Sequence, residues 1–157
     1  EYVLVWAKDA GVDHDIVLNE ADINNLIRAK GAIYAGFSVL VRSVGIELAD
    51  VEQILIAGAF GQHINVEKGI QIGLLPDMPW EKFKFVGNAS ALGAYAALVS
   101  QELRKKTIEI ADKMTYLELS ADNRFMDEYT CALFLPYTDI TAFPSVATLL
   151  ESTKKKD

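Results

Sequence analysis

The chain has 157 residues, 51% of them apolar and 24% charged, which excludes disordered and collagen-like classes and suits one compact domain with its own core. Fifteen basic against 22 acidic side chains leave a net charge of -7, which argues against nucleic acid or an anionic membrane as partner, since neutralising phosphates takes basic clusters. A lone cysteine, Cys131, closes no internal disulfide and holds no iron–sulfur cluster by itself, and no stretch approaches the roughly 18 apolar residues of a membrane span. A cytoplasmic domain is expected. The chain begins at Glu1, without Met, and runs straight into an apolar segment, so a piece of a longer protein is expected.

Residues 2–7 read as a strand, and Lys8-Asp9-Ala10-Gly11-Val12-Asp13 as a turn. Ile16-Val17-Leu18 then returns as the second arm of a hairpin. At Asn19 the period changes. Asn19 suits a helix N-cap, and Glu20 and Asp22 place carboxylates in the first turn, where the helix dipole favours them. Apolar residues recur at Ile23, Leu26, Ile27, Ile33, Tyr34, Phe37, Leu40, Val41 and Val44, which predicts a helix with one buried stripe ended by Gly45.

Ile54-Leu55-Ile56-Ala57 predicts a strand covered on both faces, followed by the turn Gly58-Ala59-Phe60-Gly61. Asn65 suits the cap of a short helix over residues 66–72, closed by Gly73. Residues 83–86 predict another buried strand, and Gly87-Asn88-Ala89-Ser90 the turn after it. An Ala-rich helix over about residues 89–100 continues or restarts through Met114. Residues 116–119 alternate like a strand, residues 122–133 look helical, and a last helix near 145–150 leads to the solvated tail Lys154-Lys155-Lys156. Strands alternating with helices through glycine turns predict an α/β fold, with a mixed sheet because of the hairpin.

Two turns share a construction: apolar strand, glycine bend, small residues opening a helix. Glycine lets backbone approach a ligand closely, a helix start offers free N–H groups, and ligands in α/β sheets sit at the carboxyl ends of strands. Ordinary strand-to-helix turns satisfy the same pattern. Neither turn spells G-x-x-x-x-G-K-[ST] or G-x-G-x-x-G. Lys30 falls on the apolar face of the long helix, where a lysine must snorkel, find a partner or meet a ligand. Arg28 falls off the stripe, toward solvent. His14 and His63 lack neighbours at metal-ligand spacing, and no metal site is expected. No catalytic set of Ser, His and Asp is expected. Trp80, Phe125 and the aromatic stretch 134–143 suit core or interface.

Four blocks taken together carry a resemblance: Ala29-Lys30-Gly31-Ala32-Ile33-Tyr34-Ala35-Gly36, Ile56-Ala57-Gly58-Ala59-Phe60-Gly61, Ile72-Gly73-Leu74-Leu75-Pro76 and Val86-Gly87-Asn88-Ala89-Ser90-Ala91-Leu92-Gly93-Ala94. In this order they resemble the C-terminal domain of the reductive activators of corrinoid proteins, RACo type. That family is similar in fold to actin, the sugar kinases and the heat-shock chaperone ATPases (the ASKHA superfamily). The resemblance implies an actin-like, ribonuclease H-like half-domain over about residues 1–114 and a C-terminal extension over 115–157, within one domain of a longer multidomain protein. It implies ATP or ADP with Mg as cofactor, the metal ligands lying outside this chain, and an iron–sulfur cluster confined to an absent N-terminal part. The implied partners are a corrinoid protein of a methyltransferase system and the rest of the activator chain, with homodimerisation left open. The implied function is ATP-driven reduction of a Co(II) corrinoid protein to Co(I) for methyl transfer.

Carried over by position, Gly58, Ala59, Phe60 and Gly61 resemble the superfamily's adenosine motif, and Gly87, Asn88 and Ser90 its second connecting region. Lys30, with Tyr34 one turn on, sits where the chaperones have a helix lysine near the ribose, and Ile27 stands where they place an acid. Asp9-Ala10-Gly11 follows too late a strand for a phosphate turn, so the phosphate turns are expected upstream and this stretch alone is expected to be a poor ATPase. Two alternatives stay open: a non-catalytic dimerisation or docking module, and a fragment of an actin-like-fold sugar or acyl kinase.

Overall fold

The fold is described by a computed structural model over residues 1–59 and 61–154. It opens with the expected hairpin. β1 (Tyr2–Val5) pairs antiparallel with β2 (Ile16–Leu18), with a register shift between Val3 and Val5. The connection holds a single helical turn, α1 (Ala7–Ala10), where the sequence reads simply as a turn; Asp15 Oδ1 accepts the Ala7 N–H at 2.6 Å and Gly11 closes it at φ +69°.

α2 (Glu20–Ser43) starts where Asn19 and Asp22 cap each other's backbone N–H groups reciprocally, both at 3.0 Å. Its buried face follows the predicted stripe only in part, through buried Tyr34 and Val41 and half-buried Ile27 and Phe37. Lys30, Gly31, Tyr34, Ala35, Ser38, Val39 and Val41 are buried, while Ile23, Leu26, Ile33, Leu40 and Val44 stay 41–67% exposed. The cause is α6 (Asn123–Ala132), which packs along the small-residue face of α2. At Gly31 a methyl group would stand 3.3 Å from the Ala132 carbonyl oxygen, so the two backbones approach closely there.

β3 (Ile54–Ala57) and β4 (Phe83–Gly87) pair in parallel. Between them α3 (Val66–Gln71), capped by the Asn65 side chain, makes the crossover. The hairpin and the parallel pair are two separate two-stranded sheets, so the antiparallel and parallel parts expected from the sequence are both present within an α/β fold but are not joined in one mixed sheet. β3 and β4 are not covered on both faces as predicted. Ile54 and Ile56 turn inward, but Leu55 is 59% and Phe85 43% exposed.

α4 (Ala89–Val99) and α5 (Gln101–Ala111) form a helical hairpin that restarts at Ser100, whose hydroxyl accepts the Leu103 N–H at 3.2 Å. Residues 116–119 make no strand. They form an irregular link into a 3₁₀ turn, because alternation alone makes no strand without an edge to pair with; Tyr116 is 80% exposed. α7 (Pro144–Lys154) ends the described chain.

The core is a cluster of Tyr34, Ile70, Leu75, Met78, Phe83, Ala132, Phe143 and Val146, so residues beyond 115 contribute three of its members. Its aromatic centre is Tyr34, 5.4 Å from Tyr137 and 5.5 Å from Phe143 between ring centroids. Total accessible surface is 11551 Å² for 17.3 kDa; a compact monomer of that mass exposes about 7800 Å². Among the described residues, exposed apolar side chains stand on the hairpin, along part of α2, on the outer face of β3–β4, and on α4, where Leu92, Tyr95, Leu98 and Val99 are 62–73% exposed. No described helix is long and apolar enough to cross a membrane.

Candidate functional site

The two glycine turns meet. β3 and β4 run in parallel, so the bends that follow them emerge side by side, and the Gly58 N–H donates to the Gly87 carbonyl at 2.7 Å. Gly58 has φ +94° and Gly87 φ +63°, backbone that a side chain with a Cβ adopts only under strain. A methyl group at Gly58 would have no neighbour within 4 Å among the described residues, so that side of the bend is open to them; at Gly61 it would run into Ile56 Cγ2 at 2.7 Å. One glycine frees the backbone and the other lets the turn fold back on its strand. Ala59, Asn88 and Ser90 are exposed around this bend, while Phe60 lies outside the described residues. Asn88 Oδ1 caps α4 by accepting the Ala91 N–H at 3.1 Å, and Leu92, 62% exposed, leaves the helix start uncovered. Six of the nine expected site residues therefore gather at one edge.

Lys30 and Tyr34 do not join them. Lys30 is fully buried, and its ammonium donates to the carbonyls of Phe134 and, at 2.7 Å, of Pro136. Burial lowers its pKa from 10.5 to about 8. Two of its three N–H donors are thus taken by the extension, and the side chain is closed off from solvent. Tyr34, 3% exposed, lines a cavity of about 470 Å³ together with Pro76, Met78, Lys82 and Ala142. That cavity borders residues that precede β3 and β4, whereas the glycine turns follow those strands. Burial and the nearby Glu128 carboxylate push the Tyr34 hydroxyl up to about 12.

Sequence reasoning missed the group that fixes this region. Glu128, 7% exposed, accepts from the Tyr137 hydroxyl at 2.8 Å and from Arg42 Nη1 at 3.2 Å. Burial and this carboxylate raise the Tyr137 pKa well above the usual tyrosine range. These partners lie nine and 86 positions from Glu128, and no local spacing announces them.

A parallel strand pair with its two glycine bends side by side next to a helix start is the α/β half-domain layout expected from the sequence, and the chain belongs to the family described as the C-terminal domain of RACo, the ASKHA domain, which matches residues 1–147. It is 34% identical over 128 residues to the corrinoid activation enzyme RamQ of Eubacterium limosum, covering 82% of this chain and 22% of that protein. It is 29% identical over 120 residues to the Co(II) methylated amine-specific corrinoid protein reductase of Methanosarcina barkeri, covering 75% and 22%. Among solved structures it matches a reductive activator for corrinoid, iron–sulfur protein with a TM-score of 0.85 and 50% identity, over 92% of this chain and 23% of that one. The chain thus spans about a fifth of the length of these relatives.

Proposed function

We propose that the chain is the nucleotide-binding C-terminal part of an ATP-dependent activator that returns a Co(II) corrinoid protein to Co(I) for methyl transfer. The observation that carries this reading is the Gly58–Gly87 pair, 2.7 Å apart from N–H to carbonyl, in a chain of the RACo C-terminal family whose relatives are named as corrinoid activators. Gly58, Ala59, Gly61, Gly87, Asn88 and Ser90 suit a nucleoside. The open side of Gly58 admits a flat ring against backbone, and Asn88 and Ser90 offer exposed polar atoms at a helix start. None of these six carries a charge, so phosphates and Mg belong, in this reading, to sequence outside the chain, as does the iron–sulfur cluster.

Reducing a corrinoid from Co(II) is uphill and needs a second source of free energy. Nucleotide-linked closure of two half-domains supplies one if the closed form binds the more easily reduced complex better. Here the half-domain of residues 1–114 contributes the nucleoside contacts, and the extension of residues 115–157 braces α2 through Phe134 and Pro136. Lys30, buried against those carbonyls, has one N–H donor left for a nucleotide. This favours the second reading, a docking or dimerisation module, in one respect: the one cation expected at the ribose is engaged elsewhere.

Calorimetric titration of a full activator carrying this domain with ATP and ADP separates the two. The first reading expects binding that Gly58→Val abolishes, along with nucleotide-dependent change in the Co(II) corrinoid spectrum. Nucleotide binding unchanged by Gly58→Val refutes the site, and corrinoid docking without nucleotide binding leaves the second reading.

A further inference from the structure

We propose that the surface centred on Trp80 docks a positively charged segment of a partner protein, with an arginine or lysine side chain lying on the indole. Trp80 leads the 3₁₀ turn Trp80–Lys82 just before β4, and it is 60% exposed. Three hollows of about 180, 460 and 330 Å³ share it as a wall. Each contains at least one carboxylate, from Glu67, Asp77 or Glu81, and none is lined by a lysine or arginine.

Among the described residues no salt bridge reaches these three carboxylates. Glu67 accepts from the Gln71 amide at 3.1 Å, and Asp77 from the Ser145 N–H and hydroxyl at 2.7 and 2.8 Å, which fixes both without neutralising either. Two lysines follow these acids in sequence: Lys82, after Glu81, turns its amine to the Val51 carbonyl at 2.6 Å, and Lys68, after Glu67, donates to Gln71 Oε1 at 3.0 Å and bonds no carboxylate. An indole face attracts a cation, the more so where flanking carboxylates add their field. Exposed tryptophan flanked by hollows is also what an interface anchor looks like.

The charge selects the occupant. A second copy of this chain brings another -7, and a neutral apolar partner leaves three carboxylates desolvated and unpaired, which is costly. Three hollows around one side chain suit a polypeptide with several side chains better than one compact cation. This inference does not depend on the nucleotide reading.

The test uses Trp80 as its own reporter in a Trp6→Phe background. A short peptide alternating arginine and leucine is expected to shift Trp80 emission, with binding that weakens as salt is raised. Glu67→Gln with Glu81→Gln is expected to weaken binding about tenfold, or 1.4 kcal/mol. Asp9→Asn with Asp13→Asn, the same charge change on exposed residues elsewhere, is expected to weaken it less than about twofold. By calorimetry Trp80→Ala is expected to lose the peptide and Trp80→Phe to keep most of the affinity. Equal weakening by both acid pairs, or equal binding of a control peptide of the same length alternating glutamate and leucine, overturns the proposal. So does argininamide binding as tightly as the peptide, which makes the surface a pocket for a small cation.

Discussion

Lys30 in α2 reaches across 106 positions of sequence to donate its ammonium proton to the Pro136 carbonyl at 2.7 Å, and a second one to Phe134 next door. No carboxylate accepts from it among the described residues. A buried cation bound only to carbonyls satisfies its donors without neutralising its charge, so this contact fastens the extension to α2 while leaving the amine strained by desolvation.

Lys30→Ala leaves those two carbonyls without their donor. An orphaned buried acceptor costs about 1–3 kcal/mol, partly offset because the charge no longer has to be desolvated. We expect a net loss of about 2 kcal/mol in urea denaturation, with faster proteolysis between α6 and α7. If Lys30 instead serves a nucleotide, the variant is expected to lose nucleotide affinity with little change in stability. The two readouts separate the roles.

The same amine makes stability depend on pH. Its folded pKa of about 8 lies below the unfolded value of 10.5, so between those values the unfolded chain binds more protons. Stability from this group therefore rises as pH goes from 8 toward 10.5, and is lost as pH falls back through 8. Tyr34 opposes it further up: its hydroxyl is raised to about 12, so its contribution is full below 10 and is lost as pH rises through 12. Comparing wild type with Lys30→Met from pH 7.5 to about 10 isolates the lysine. We expect the wild type to gain about 1–3 kcal/mol relative to the variant across that window; parallel curves contradict the assignment.

Local chemistry was legible in the sequence, and long-range packing was not. The Asn19 cap, the stop at Gly45 with φ +75°, the Asn65 cap and the bends at Gly58 and Gly87 all stand where turn and cap chemistry predicts them. Each depends on residues within a few positions. Which face α2 buries depends instead on α6, about a hundred residues later, so periodicity chose the apolar stripe and the structure buried Gly31, Ala35 and Ser38. Lys30 was marked as unusual by its position, but its partners 104 and 106 positions away were invisible. The alternation at residues 116–119 misled for the converse reason: a strand is made by its neighbour, and among the described residues none pairs with this stretch.

Gly73 and Gly11 offer a controlled comparison. Both have left-handed backbone, φ +73° and +69°, but a methyl group at Gly11 meets nothing within 4 Å while one at Gly73 collides with the Pro136 backbone. Gly11→Ala carries only the conformational cost of about 1–2 kcal/mol. Gly73→Ala adds the clash and presses on the carbonyl that Lys30 holds, so its loss is expected to exceed that of Gly11→Ala by at least about 2 kcal/mol. Thermal or urea unfolding of the two variants checks this, and equal losses mean that the Gly73 turn moves away from residue 136 at little cost.

Glu128 joins α2 to the aromatic core through two bonds of different exposure. Its partner Arg42 has a side chain 58% exposed, so that ion pair is screened and worth under about 1 kcal/mol. The Tyr137 hydroxyl, at 2.8 Å, lies in the part-buried interior against Tyr34. A hydrogen bond to a charged acceptor there is worth about 1.5–3 kcal/mol. A double-mutant cycle of Glu128→Gln with Tyr137→Phe is therefore expected to show coupling of at least about 1 kcal/mol, and one with Arg42→Met less than half of that. If the Arg42 cycle gives the larger coupling, the carboxylate serves the surface ion pair first and the phenol is the passenger.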